Sequence, residues 1–295
     1  MFSTLSLRRF DAAPARTLLQ YVMVLVGAIC TAPASAEDDY LSIKYSQKNQ
    51  VRTSLVWIQH KADLIVNVRK PADGKRRVNI EGARAVGQSL IDKNPIYGRT
   101  GKLFFKDPEG EIRSCSASFA GGDSIITTAA HCVMTADGDW NRDFIFIRAY
   151  GSANQEIHAV RCIAIPGIWG EFVEDTTSFD YAFIRTVKPS KVGSFKVSAE
   201  PPPESLQLVG YADKFVKGRA MLTMNFMVDD QAADRLGSRN NELGHGNSGS
   251  PWINRFSQQL HSVSSYYDRS NPRDLWGPRL TEASIELLAY TEDGC

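Results

Sequence analysis

The sequence has no charge bias. Its 34 Lys and Arg residues stand against 33 Asp and Glu, leaving a net charge of +1 over 295 residues. With no long basic stripe there is no electrostatic footprint for nucleic acid, and the tight run Lys75, Arg76, Arg77 reads as solvated charge. There is no CxxC pair and no HExxH motif, and the five histidines are scattered, so neither a metal site nor another cofactor is expected. No apolar run reaches the roughly 20 residues that a membrane-crossing helix needs. Repeats at a fixed period are absent too. What remains, 43% hydrophobic and 23% charged, describes a soluble globular chain long enough for one large or two small cores.

The longest apolar stretch is Leu18 to Cys30, preceded by Arg8, Arg9 and Arg16 and followed by Ala34-Ser35-Ala36. That order of basic, apolar and small-residue regions predicts a secretory signal over residues 1–36, cut after Ala36. The mature chain is then secreted or periplasmic, without membrane attachment. Cys30 leaves with the signal. Cys115, Cys132, Cys162 and Cys295 remain, an even number suited to disulfides in an oxidising compartment.

Residues 37–92 are polar, carry no cysteine and read as a propeptide or N-terminal extension. From residue 93 to 295 the texture changes to short apolar runs of strand length separated by turn clusters such as "KDPEGE", "TADGDWN" and "AIPG". "GKLFF", "SASFA", "SIITTA", "DFIFIRA", "DYAFIRT", "SLQLVGY", "AMLTMNFMV" and "LHSVSSYY" are the strand candidates. The best helix candidate is "LTEASIELLAY", with Thr281 as N-cap and Ile285 and Leu288 on one face. The pattern is all-β, a sandwich or barrel, with a C-terminal helix.

Within it, "LGHGNSGSPW" sets Ser248 in a run of small residues. A serine hydroxyl is a weak nucleophile at neutral pH. It needs a base in hydrogen-bond reach, an acid that orients the base, and donors for the oxyanion. "SIITTAAHCVM" offers His131 after a strand, and "TSFDYAFIRT" offers Asp180 at the head of another. They lie 49 residues (131 to 180) and 68 residues (180 to 248) apart. An α/β-hydrolase is excluded by chain order, since its nucleophile precedes its histidine.

"TAAHC" (128–132), "DYAFIR" (180–185) and "GNSGSP" (246–251), in that order, resemble the chymotrypsin-fold serine proteases. The form "GNSGSP", with "LVGYADK" (208–214) and "GPRLT" (277–281), is most similar to the bacterial branch of V8 protease and the glutamyl endopeptidases. The resemblance spans about residues 95–290. It implies two antiparallel β-barrels of the six-stranded type, meeting near residues 190–205, and a monomeric endopeptidase acting on polypeptides. Ser248 would be the nucleophile, His131 the general base, Asp180 the orienting acid, and the N–H groups of Gly246 and Ser248 the oxyanion hole. It also implies a Cys115–Cys132 disulfide beside the histidine. Cys162 and Cys295 are left for a second bond, with a free or intermolecular Cys295 as the alternative.

Departures from the pattern bear on activation and specificity. Asn247 stands where the trypsin branch has an Asp that receives the new N-terminal ammonium, which argues against that switch. Cleavage after Arg77, or after Arg84 in "RAVG" (84–87), which resembles an activation site, remains a route for removing the extension, against the reading of an ordinary exposed loop. Where glutamyl endopeptidases carry a histidine, this chain has Ser264, with His261 three residues earlier. Glu242 falls at the pocket base of the trypsin branch, pointing to Lys or Arg at P1 unless it simply faces solvent. Glu242, Ser264, Ser265 and Tyr266 are the candidate substrate-binding residues, with Tyr267 beside them, and His245 is placed at the rim. The rival reading is a catalytically silent binding protein on the same fold.

Overall fold

A computed structural model describes residues 40–45, 82–170, 176–231, 234–241, 243–267, 271 and 273–295. The signal segment, Arg77 and Glu242 lie outside the described residues. Among those described, no helix is long and apolar enough to cross a membrane.

The apolar runs of the first half become β3 (Thr100–Lys106), β4 (Ile112–Phe119), β5 (Ile125–Thr128), β6 (Arg142–Arg148), β7 (Glu156–Pro166) and β8 (Ala182–Thr186), after β1 (Tyr40–Lys44) and β2 (Ala83–Ala85). The order β7-β6-β3-β4-β5-β8 closes through β8 on β7, giving an antiparallel barrel of six strands. Its interior holds Leu103, Ala117, Phe119, Ile126, Phe146, Ile163 and Ile184, all fully buried. Closure leaves no bare edge around the ring.

β7 is the strand that the sequence pattern hides. "AIPG" read as a turn, yet Ala164 to Pro166 are strand residues. The strand has 11 residues because its partners change along it. Its first part pairs with β6, its middle with β8, and Cys162 to Pro166 with β1, which runs from Pro166↔Tyr40 to Cys162↔Lys44. Pro166 sits at the strand end, where a missing N–H costs least.

The second half contains β9 (Lys196–Val197), β10 (Ser205–Gly210), β11 (Leu222–Met227), β12 (Asp230–Gln231), β13 (Arg235–Ser238), β14 (Pro251–Asn254), β15 (Gln259–Val263), β16 (Tyr266–Tyr267) and β17 (Leu275–Pro278). Here the expected six-stranded ring is two sheets, β2-β11-β10-β14-β15-β9 and β12-β13-β17-β16. The bridge between Ser262 and Arg279 and the bond from Leu280 N–H to His261 O join them. Among the described strands β9 pairs with β15 in parallel while the rest pair antiparallel, and an isolated bridge between Ala120 and Phe195 is parallel too. Trp252, fully buried against Phe226, anchors this core.

Short helices α1 (Gln88–Lys93) and α2 (Pro95–Gly98) lead into β3, and α3 (Glu282–Asp293) ends the chain. Thr281 is the N-cap of α3, its N–H donating to Ser284 Oγ at 2.6 Å, and Gly294 stops the helix at φ +110°. Both disulfides form, Cys115–Cys132 and Cys162–Cys295, the second tying the end of α3 to β7.

The segment read as an extension contributes a strand to each half. β1 adds to β7, with Tyr40 against Tyr290 and Ser42 Oγ hydrogen-bonded to Tyr290 Oη at 3.0 Å. β2 adds to β11, so Arg84, set opposite Thr223, is a strand residue and not part of an open loop.

Candidate active site

β5 ends at Thr128, and the chain turns through Ala129 and Ala130 into one 3₁₀ turn that carries His131. Only small side chains fit here, because both alanines are fully buried, and the Cys132–Cys115 bond clamps the turn to β4. Asp180 lies two residues ahead of β8, buried with 2% of its surface exposed. Its Oδ1 accepts the His131 N–H at 2.8 Å and its Oδ2 faces His131 Nδ1 at 2.7 Å. Ser265 Oγ donates to the same Oδ2.

The charges of the pair reinforce one another. Burial alone would discourage the His131 cation, but the Asp180 carboxylate outweighs it and raises the imidazole pKa above its ordinary 6.5. Burial likewise works against the Asp180 anion. The attraction of His131 and the hydrogen bonds from His131 and Ser265 overcome it and lower the carboxyl pKa. The bond to Asp180 leaves Nε2 of His131 as the free nitrogen, on a side chain that is 35% exposed.

Ser248 arrives from the second half, and the first barrel holds it. Ser116 on β4 donates its N–H to Ser248 O at 2.8 Å. Ser116 Oγ donates to Gly246 O at 2.9 Å and accepts from Tyr211 N–H at 2.9 Å. Thr128 Oγ1 completes the contact by donating to Ser116 O. Gly246 (φ +79°) and Gly249 (φ +77°) are both left-handed. A Cβ on Gly249 would lie 2.1 Å from Thr128 Oγ1, and one on Gly246 would lie 2.8 Å from Tyr211 O, so neither position admits a side chain. The N–H groups of Gly246 and Ser248 donate to no acceptor among the described residues. Ser248 Oγ makes no hydrogen bond to His131 among them either. Such contacts are often long in a substrate-free site and tighten on binding.

The substrate-binding candidates fare differently. Ser264 is fully buried, its Oγ accepting from Asn247 Nδ2 at 3.0 Å and from Trp252 Nε1 at 2.9 Å. The Ser265 hydroxyl is committed to Asp180. Tyr266 turns its hydroxyl toward Arg235 Nη1, 3.3 Å away, whereas Tyr267 Oη accepts the Gly244 N–H at 2.8 Å and so reaches the serine loop. Asn247 spends its amide on Ser264 and Ser250, and His245 is exposed. Ser116 had no signature in the sequence, because its role comes from facing a loop 130 residues away. His131 lies near the sulfurs of Cys115 and Cys132, but both are spent in the disulfide.

No family model matches the chain, and no curated protein matches it. Solved structures do. A thermostable serine protease, AL20, from an extremophilic microorganism superposes with a TM-score of 0.58 at 21% identity, over 67% of this chain and 98% of that one. The chain has the chymotrypsin fold. Protease Anisep from Arthrobacter nicotinovorans shares this chymotrypsin fold with a TM-score of 0.56 at 24% identity, over 65% of this chain and 96% of its own. A Glu endopeptidase gives 0.58 at 18% identity, over 72% and 97%. Nearly the whole of each neighbour is thus matched within the chain, and the unmatched remainder belongs to this chain.

Proposed function

We propose that the protein is an exported serine endopeptidase. The observation that carries the reading is the buried Asp180 carboxylate bonded to His131 Nδ1, beside a serine turn whose Gly246 and Ser248 N–H groups are unoccupied. With Nδ1 engaged, Nε2 of His131 takes the Ser248 proton as Oγ bonds to the scissile carbonyl carbon. The carbonyl electron pair moves to oxygen, where the two N–H groups receive it, each worth roughly 10²–10³ in rate. The C–N bond then breaks, the amine leaves with the proton from Nε2, and water releases the acyl group by the same sequence in reverse roles. Asp180 keeps the tautomer and offsets the transient imidazolium charge.

The two disulfides favour an oxidising compartment, which agrees with export through the 1–36 signal. The strands β1 and β2 favour an extension retained in the mature enzyme over a propeptide shed at Arg84.

A silent binding protein is the second reading, supported by the absence of a Ser248–His131 hydrogen bond. Mass-spectrometric mapping of bonds cut in a denatured protein mixture, by wild type beside Ser248→Ala, separates the two. Cuts made only by wild type establish the protease. No cuts from either, with the mature N-terminus verified, establish the silent protein.

A further inference from the structure

The endopeptidase reading puts the scissile carbonyl against Gly246 and Ser248 N–H, and the segment after β15, bonded to the serine loop through Gly249 N–H to Ser264 O, is the wall beside it. That segment is rigidly placed. Gly249 N–H donates to Ser264 O at 2.7 Å, Ser264 N–H donates to Ser250 O at 2.9 Å, and Ser265 Oγ is held by Asp180. Two residues on, Tyr267 spans the gap, its Oη accepting the N–H of Gly244 at 2.8 Å. Its ring packs on the core of the second half, the apolar cluster that includes Leu243 and Leu275. Tyr267 and Leu275 are direct cross-strand partners between β16 and β17, so they share a face, and Leu275 is 1% exposed.

We propose that Tyr267 is a specificity-determining residue that bars the P1 pocket, confining cleavage to bonds after small residues, Gly, Ala and Ser. The inference rests on the endopeptidase reading above. The phenol is well suited to a fixed bar: its Oη accepts the Gly244 N–H at 2.8 Å, and burial pushes its pKa up to about 12, so it stays uncharged. A P1 side chain larger than Ala would have to displace the ring and break that bond. Single methylene differences in a closed pocket already change kcat/KM by about 10–200-fold.

The test is a P1 series of otherwise identical peptides (Gly, Ala, Ser, Leu, Phe, Glu, Lys, Arg) with wild type, Tyr267→Ala, Tyr267→Val and Tyr267→Phe. Wild type is expected to prefer Ala over Leu or Phe by at least tenfold. Tyr267→Ala is expected to raise the Leu or Phe to Ala ratio at least tenfold, while Tyr267→Phe, which keeps the ring, maintains exclusion of large side chains. Melting curves identify a variant that fails to fold. If Tyr267→Ala does, Tyr267→Val carries the comparison, with the wild-type profile as an independent arm. Wild-type kcat/KM for Leu, Phe, Glu, Lys or Arg within tenfold of that for Ala overturns the proposal and leaves the endopeptidase reading standing. An unchanged profile in folded variants does the same. No cleavage of any peptide by folded, mature wild type overturns both.

Discussion

Ser116 donates its backbone N–H to Ser248 O across the junction of the two halves, at 2.8 Å. Its hydroxyl simultaneously braces Gly246 O and Tyr211 N–H. Ser116→Ala keeps the backbone bond and removes the brace, leaving a buried acceptor and a buried donor unpaired, at a cost of about 1–3 kcal/mol. Chemical denaturation should register that loss. On the endopeptidase reading, in which Gly246 is an oxyanion donor, the peptidase rate should fall about tenfold because Gly246 is no longer held; an unchanged rate would show that Tyr211 and Gly249 suffice to shape the turn.

On the endopeptidase reading proposed above, the His131–Asp180 pair sets the acid limb of activity. Catalysis needs neutral His131, whose pKa lies above 6.5, so the rate should decline as pH falls through a midpoint above that value. Asp180→Asn should lower kcat on the order of 10⁴-fold and move the midpoint down, because the charge that raises the imidazole is gone. A pH–rate profile of both forms measures this.

The same pair contributes to stability with a defined sign. His131 is raised, so its share is complete below about 6.5 and lost as pH rises through the folded value. Asp180 is lowered, so its share is present above about 3.8 and lost as pH falls through the folded value. The stability deficit of Asp180→Asn should therefore be widest between those two pH values. Urea titrations at pH 3, 5 and 9 would reveal a deficit of the wrong pH order if the pair were not coupled this way.

Cys162–Cys295 closes a loop of 133 residues and fixes α3 to the first barrel. Removing a crosslink of that span costs about 4–5 kcal/mol in the chain-entropy account. Cys295→Ser should lower the melting temperature accordingly, and peptide mapping without reduction should recover the Cys162–Cys295 pair from wild type.

Arg84 and its neighbours are hydrogen-bonded to β11, and Val86 N–H donates to Met221 O at 2.9 Å. A retained extension predicts that N-terminal sequencing of the exported protein begins at Glu37. It predicts too that brief trypsin treatment of the folded protein spares Arg84, because cleavage requires the strand to leave the sheet. A mature terminus at Ala85 would show that the segment is shed.

Segments with local chemistry were legible in the residues themselves. Turn clusters around short β-branched and aromatic runs announced the strands, Thr281 marked the start of α3, and "TAAHC", "DYAFIR" and "GNSGSP" marked three segments that the fold carries to one junction. Each is recognised by what stands next to it in the chain. Tertiary structure alone decided which serine meets which partner. Ser264 and Ser265 are adjacent, yet one is sealed beneath Trp252 and the other supports Asp180, because in the connection between β15 and β16 each packs against a different distant segment. The length of β7, the incorporation of β1 and β2, the grip of Ser116 and the reach of Tyr267 across to Gly244 have the same origin. They depend on register between segments distant in sequence, which no local pattern encodes.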